Sequence, residues 1–195
     1  MLIYFSAPQL GKKYFEEYYR KIYKEIERLG YIHLDDEIIK IKAKEYLERF
    51  EDGSKSYHSQ LYKKNIGLLQ KADINVFDCS FDSLSIGFMI EKSLEYGKPT
   101  IVLYLKDNLP FFLVGANDEK LVLRSYNERN LHNVITKSLD EAKIRRDKRF
   151  NFFISQELLA FLEQESTRQS TTKSTFIRNL IIDYRKKLNG KGKYT

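Results

Sequence analysis

The period of the apolar positions changes several times along the chain, and each change marks an element. LIYFSAP is a short apolar run ending at Pro8, the pattern of a buried strand. Over 12–29, Phe15, Tyr19, Ile22, Tyr23, Ile26 and Leu29 recur at helical spacing, and Gly30 closes the run. YIHL predicts a second strand. Residues 36–51 are ambiguous, since EIIKIKAKEYLERF can begin extended and finish helical; EDGSKS is a loop. Residues 57–71 predict a helix with Leu61, Ile66, Leu68 and Leu69 available for burial. INVFDCS is a buried strand, 85–97 a helix closed by Gly97 and Pro99, and TIVLYLK another strand. LPFFLVG is a short apolar helix or a hydrophobic loop, KLVLRSY a late strand, and 127–140 a helix. Short apolar strands alternating with helices imply an α/β fold, a parallel sheet with flanking helices.

The pattern changes again after the charged run DEAKIRRDKR, 140–149, which marks a domain boundary. KRFNFFIS predicts a short strand. SQELLAFLEQESTRQ predicts a helix with Leu158, Leu159, Phe161 and Leu162 on its apolar face. After the break STTKS, TFIRNLIIDYRKKL predicts a second helix carrying Phe176, Ile177, Leu180, Ile181 and Tyr184. One strand and two helices of this size cannot bury a core alone. With no Cys or His in this segment, a dimer is expected from size. The expected domains are 1–140, an α/β domain, and 147–188, a small module, with 189–195 as a basic tail.

Composition sharpens the division. The 195 residues are 42% hydrophobic and 31% charged, which supports a folded core. No apolar run approaches the ~18 residues of a membrane helix, and MLIYFSAPQ lacks the regions of a signal peptide. Cys79 is the only cysteine, so no internal disulfide forms and a reducing cytoplasm is expected. The net charge of +7 is unevenly placed. Residues 143–195 hold 13 Lys/Arg against 5 Asp/Glu, and residues 1–142 hold 21 against 22. A basic excess confined to the last segment points to an acidic partner there. His33, His58 and His132 are scattered without ligand spacing, and neither a Walker loop nor G-x-G-x-x-G occurs, so no metal or cofactor is expected.

The segment KRFNFFISQELLAFLEQESTRQSTTKSTFIRNLIIDYRKK resembles the ribbon-helix-helix DNA-binding family over about residues 147–188. The resemblance implies two strands paired across a dimer and laid in the DNA major groove. Alternation then turns Phe150, Phe152 and Ile154 toward the helices and Arg149, Asn151 and Phe153 toward the groove, with Lys148 beside them. Arg and Asn suit guanine and adenine edges. Thr172 and Ser174, near the start of the second helix, would hold a backbone phosphate. Phe153 departs from the polar residue usual at its position.

Residues 1–116 resemble the nucleoside 2-deoxyribosyltransferase superfamily, in particular its deoxynucleoside-monophosphate N-glycosidase branch. The carrying features are IYFSAP, LQKADINVFDCS, SLSIGF…GKP and LPFFLVGA, in that order. The resemblance implies a flavodoxin-like fold and a carboxylate attacking the sugar C1′. The family glutamate lies six residues after the serine of S-L-G-V-G-Y-E; counted from Ser83, that position is Met89. The orienting aspartate falls at Asn65, and the serine contributed by a neighbouring subunit falls at Pro110. The arginine-bearing loop is QLGKK, without arginine. Tyr4 and Ser83 remain. An apolar group cannot replace a nucleophilic carboxylate, and Glu91, about 200° around the helix from Met89, faces away. Ser83, Ser85 and Gly87, with Tyr4, could hold a nucleotide at a helix N-terminus, with Lys12 and Lys13 adding charge. Alternatively, the serines cap the helix, Gly87 permits close packing, and Phe88 and Met89 fill the cleft.

The leading expectation is therefore a DNA-binding protein, a transcriptional regulator or DNA-coating architectural protein, cytoplasmic and nucleoid-associated. Its α/β domain would be a pseudoenzyme used for homo-oligomerisation, as a dimer or larger, or for nucleotide sensing. The partner would be double-stranded DNA, with no membrane. The alternative is an active nucleoside or nucleotide N-glycosidase or 2-deoxyribosyltransferase with an attached dimerisation module, using Asp78, Asp82 or Glu91. A scaffold using both modules for protein contacts is a third option.

Overall fold

The computed structural model describes residues 1–51, 55–116, 118–145 and 152–191. The chain divides into two compact units, Met1–Lys148 and Arg149–Thr195.

The first unit is built on five parallel strands: β1 (Leu2–Ser6), β2 (Ile32–His33), β3 (Ile74–Asp78), β4 (Thr100–Leu105) and β5 (Leu121–Tyr126). Their order is β2-β1-β3-β4-β5. That is the flavodoxin-like winding. The helices between them are α1 (Lys12–Arg28), α2 (Glu37–Lys40), α3 (Ala43–Glu51), α4 (Lys55–Lys71), α5 (Leu84–Glu95) and α6 (Phe111–Val114), with α7 (Leu131–Ile144) after β5. The alternation expected from sequence is present. The ambiguous stretch 36–51 resolves into two helices rather than an extended start. α2 begins where the Asp35 carboxylate accepts the Glu37 N–H at 3.1 Å.

Strand alternation sends side chains to two cores. On one face Ile3, Phe5, Val76, Ile101, Leu103 and Val122 pack against Tyr19, Ile22 and Ile26 of α1 and Ile135 and Leu139 of α7. On the other, Tyr4, Phe77 and Val102 meet Leu69 of α4 and Ile86, Met89 and Ile90 of α5. A buried polar chain crosses this second face. Asn75 Nδ2 donates to Ser93 Oγ at 2.7 Å, and Ser93 Oγ lies 2.7 Å from Thr100 Oγ1. It ties β3, α5 and β4 together. Gly30 (φ 82°) and Gly97 (φ 64°) supply the left-handed turns after α1 and α5. Gly11 serves through size: a Cβ there would stand 2.4 Å from Tyr19 Oη and 2.8 Å from Phe81 Cβ.

In the second unit α8 (Gln156–Arg168) and α9 (Lys173–Lys191) form as expected. Among its described residues Leu162, Ser166 and Phe176 are buried, while Leu158, Leu159, Phe161, Leu180, Ile181, Tyr184 and Leu188 are exposed. The expected ribbon strand is not supported: Phe152, Phe153 and Ile154 lie in no strand, and 146–151 fall outside the described residues. A lone strand has nothing to pair its backbone groups with. The ribbon-helix-helix resemblance thus reduces to two helices. Among the described residues, no helix is long and apolar enough to cross a membrane.

Candidate functional site

The strand order reverses between β1 and β3, and a crevice at such a switch point, above the carboxyl ends of the strands, is where open α/β sheets bind ligands. Tyr4 rises from β1 on the α4/α5 side. Its hydroxyl donates to Asn65 Oδ1 on α4 at 3.3 Å and lies 3.9 Å from Met89 Sδ on α5. Phe77 holds the ring edge-on, with centroids 6.5 Å apart. Three positions singled out from sequence therefore meet at one point: Tyr4, Asn65 and Met89. Burial pushes the Tyr4 hydroxyl well above the usual tyrosine range; Ser6 opposes the shift, and the nearby charges of Asp35 and Glu37 add to it.

Ser83 is the N-cap of α5, its Oγ accepting the Ile86 N–H at 3.4 Å. Ser85 and Gly87 are exposed on the first turn. A Cβ on Gly87 would meet nothing within 4 Å, so close packing is not what a glycine provides here. Met89 is buried, as a cleft filler should be, but Phe88 is 43% exposed beside Tyr62, with ring centroids 6.2 Å apart. Lys12 turns inward and donates to the Ile41 carbonyl, while Lys13 sits 5.5 Å over the Tyr14 ring. Pro110 is the N-cap of α6.

The acids nominated from sequence divide by burial. Asp78, at the end of β3, is fully buried. Tyr126 Oη donates to its Oδ2 at 2.6 Å and the Ser80 N–H to its Oδ1 at 2.9 Å. Burial pushes its carboxyl up to about 6, against the lowering effect of those hydrogen bonds. It is sealed in the sheet. Asp82 and Glu91 are exposed, Glu91 as its helical angle requires. Cys79 is half-buried, and burial pushes its thiol up to about 12, far from a reactive thiolate.

A third set was missed. Just past β2, Asp35 and Glu37 share one cation: Lys64 Nζ lies 2.9 Å from Asp35 Oδ1 and 2.6 Å from Glu37 Oε1. Burial lowers the Lys64 ammonium, but Glu37 and Asp35 outweigh it and the net shift is upward. The available signal was the run LDDE directly after a predicted strand, at the ligand-binding edge of a parallel sheet. Among the described residues, no three His, Cys, Asp or Glu side chains assemble as a metal-binding set.

In the second unit Thr172 Oγ1 accepts the Thr175 N–H at 3.2 Å and so caps α9. Ser174 and Phe153 are exposed, while Lys148, Arg149 and Asn151 lie outside the described residues. The described part of the expected DNA surface therefore reduces to a helix cap and two exposed side chains.

No protein-family model matches the chain. Two relatives do. A Thermofilum pendens protein with the provisional name 2'-deoxynucleoside 5'-phosphate N-hydrolase 1 is 29% identical over 113 residues, covering 56% of this chain and 71% of the relative. A Methanosarcina mazei protein of the same name is 29% identical over 125 residues, covering 64% and 74%. A solved CMP N-glycosidase from Clostridium botulinum superposes with a TM-score of 0.48 at 15% identity over 72% of this chain and 99% of that one, too loosely to bear on function. The expectation of a DNA-binding regulator is overturned by the two relatives, which carry the name of an enzyme. They support the likeness of the first unit to the deoxyribosyltransferase-like superfamily.

Proposed function

We propose that the chain hydrolyses the N-glycosidic bond of deoxynucleoside 5′-monophosphates in the crevice above β1 and β3. The observation that carries this is the meeting of Tyr4, Asn65 and Met89 at one point. These are the positions where the resembled family keeps its sugar-binding and acidic groups, and both relatives are named for this activity. The exposed first turn of α5, with Ser85 and the open space at Gly87, provides backbone N–H groups for the 5′-phosphate. Tyr4, whose hydroxyl stays protonated, donates to the sugar.

The test is incubation of the full chain with each deoxynucleoside 5′-monophosphate, following free base by chromatography. Base release that depends on the 5′-phosphate is the expected result. Nucleotide binding without any base release rejects the proposal.

The second unit suggests how the protein assembles. We propose that α8 and α9 pair with those of a second copy. Their seven exposed apolar side chains lie at helical spacing and offer on the order of 700 Å², close to the roughly 800 Å² each partner gives a standard interface. Sedimentation should show a dimer that Leu180→Asp/Ile181→Asp dissociates. A monomeric unaltered chain contradicts the pairing.

A further inference from the structure

The proposed hydrolysis needs a carboxylate, and Met89 cannot supply one. We propose that Asp35, positioned by Lys64, is that carboxylate, so that the acid comes from the loop between β2 and α2 rather than from α5. This inference rests on the hydrolase proposal.

Local contacts bring Asp35 to the site. The loop is tied to β1 beside Tyr4, since the Leu34 N–H donates to the Ile3 carbonyl at 2.9 Å. Asp35 is held at both oxygens: Oδ2 accepts the Glu37 N–H at 3.1 Å, and Oδ1 faces Lys64 Nζ at 2.9 Å. Its side chain is only 16% exposed. Lys64 directly precedes Asn65, so α4 delivers the amide that receives the Tyr4 hydroxyl and, one residue earlier, the ammonium that orients the acid. The charge of Asp35 reaches the Tyr4 hydroxyl as well.

A carboxylate fixed by an ammonium and a backbone N–H is an oriented acceptor, placed to take a proton. As water adds to C1′, its proton passes to Asp35. The C1′–N bond breaks with its electron pair going to the base, which takes a proton from solvent. Asp35 then returns its proton to solvent, leaving 2-deoxyribose 5-phosphate and the free base. The competing account is a surface ion-pair staple, which would contribute about 0–1 kcal/mol to stability and nothing to turnover.

Base release, nucleotide affinity by calorimetry and thermal melting are to be measured on the full chain and on Asp35→Asn, Asp35→Glu, Glu37→Gln and Lys64→Met. Loss of a positioned base typically costs ~10²–10⁴-fold, so Asp35→Asn should lose at least about 10²-fold in kcat with nucleotide affinity nearly unchanged. Asp35→Glu should recover part of that loss. Lys64→Met should lower kcat with nucleotide affinity nearly unchanged, because the acid has lost the cation that orients it. A folded, nucleotide-binding Asp35→Asn with full kcat overturns the assignment and leaves the hydrolase proposal standing. Binding without base release by the unaltered chain rejects both. Should Asp35→Asn fail to fold, a folded, nucleotide-binding Lys64→Met decides: an unchanged kcat overturns the assignment.

Discussion

Replacing Met89 with glutamate is expected to raise base release from deoxynucleoside monophosphates by about 10²-fold or more, the usual contribution of a well-placed acid–base group. Met89 Sδ lies 3.9 Å from Tyr4 Oη, and the methionine sulfur and the glutamate carboxyl carbon both lie three bonds from Cα. The new carboxyl carbon would take the sulfur's place and bring an oxygen within hydrogen-bonding distance of Tyr4. The carboxylate would be nearly buried, since Met89 is 8% exposed, so burial would raise its pKa and lower the melting temperature. A ligand-saturated melt should recover part of that loss. If Asp35→Asn/Met89→Glu folds and binds nucleotide but releases base no faster than Asp35→Asn, the crevice around Tyr4 is not where the glycosidic bond lies.

The second large effect concerns Asp78. Its folded-state carboxyl stands at about 6, raised from an ordinary 3.8. A raised carboxyl favours the neutral form in the folded protein. Its favourable contribution is therefore complete below pH 4 and is lost as pH climbs through 6. Above that, holding the buried charge costs about 3 kcal/mol. Asp78→Asn removes the charge; its Oδ1 can still accept the Ser80 N–H, while its Nδ2 would donate to the Tyr126 hydroxyl oxygen. In urea unfolding, the stability of the variant relative to the unaltered chain should rise by about 2 kcal/mol between pH 4.5 and pH 7.5. Using the difference cancels acids such as Glu25, which Arg28 holds below the usual range and which acts in the opposite direction. A difference that is flat with pH would mean that Asp78 stays ionised throughout.

Much of the first unit is legible in its sequence because its signals are local. The stripe of Tyr19, Ile22 and Ile26 is a helix whatever surrounds it, and runs such as INVFD are buried on both faces, which only a covered parallel strand requires. β2 pairs with β1 alone over two residues, a length invisible in YIHL. The convergence of Tyr4, Asn65 and Met89 follows from a resemblance that preserves spacing. The Asp35–Lys64–Glu37 cluster is different in kind. Its members come from a loop and a helix far apart in sequence, and their meeting depends on how α4 docks beside β1. Sequence reasoning also gave Arg149 and Asn151 their importance by assuming a strand. The apolar alternation over 150–154 suggested one, but a strand needs a partner that local pattern does not provide.

The position of β1 bears on how the chain must come together. It sits between β2 and β3, yet β2 gives it only two residues of pairing. The Leu2 N–H closes a hydrogen bond with the Asp73 carboxylate across 71 positions at 2.8 Å. During synthesis, β1 must thus wait for β3 before its second edge is paired. Until β3 has left the ribosome, an apolar strand waits with one edge bare, the form most prone to wrong pairing. Folding from the denatured state meets the same delay, because the loop between β1 and β3 must close before the sheet can return anything for it.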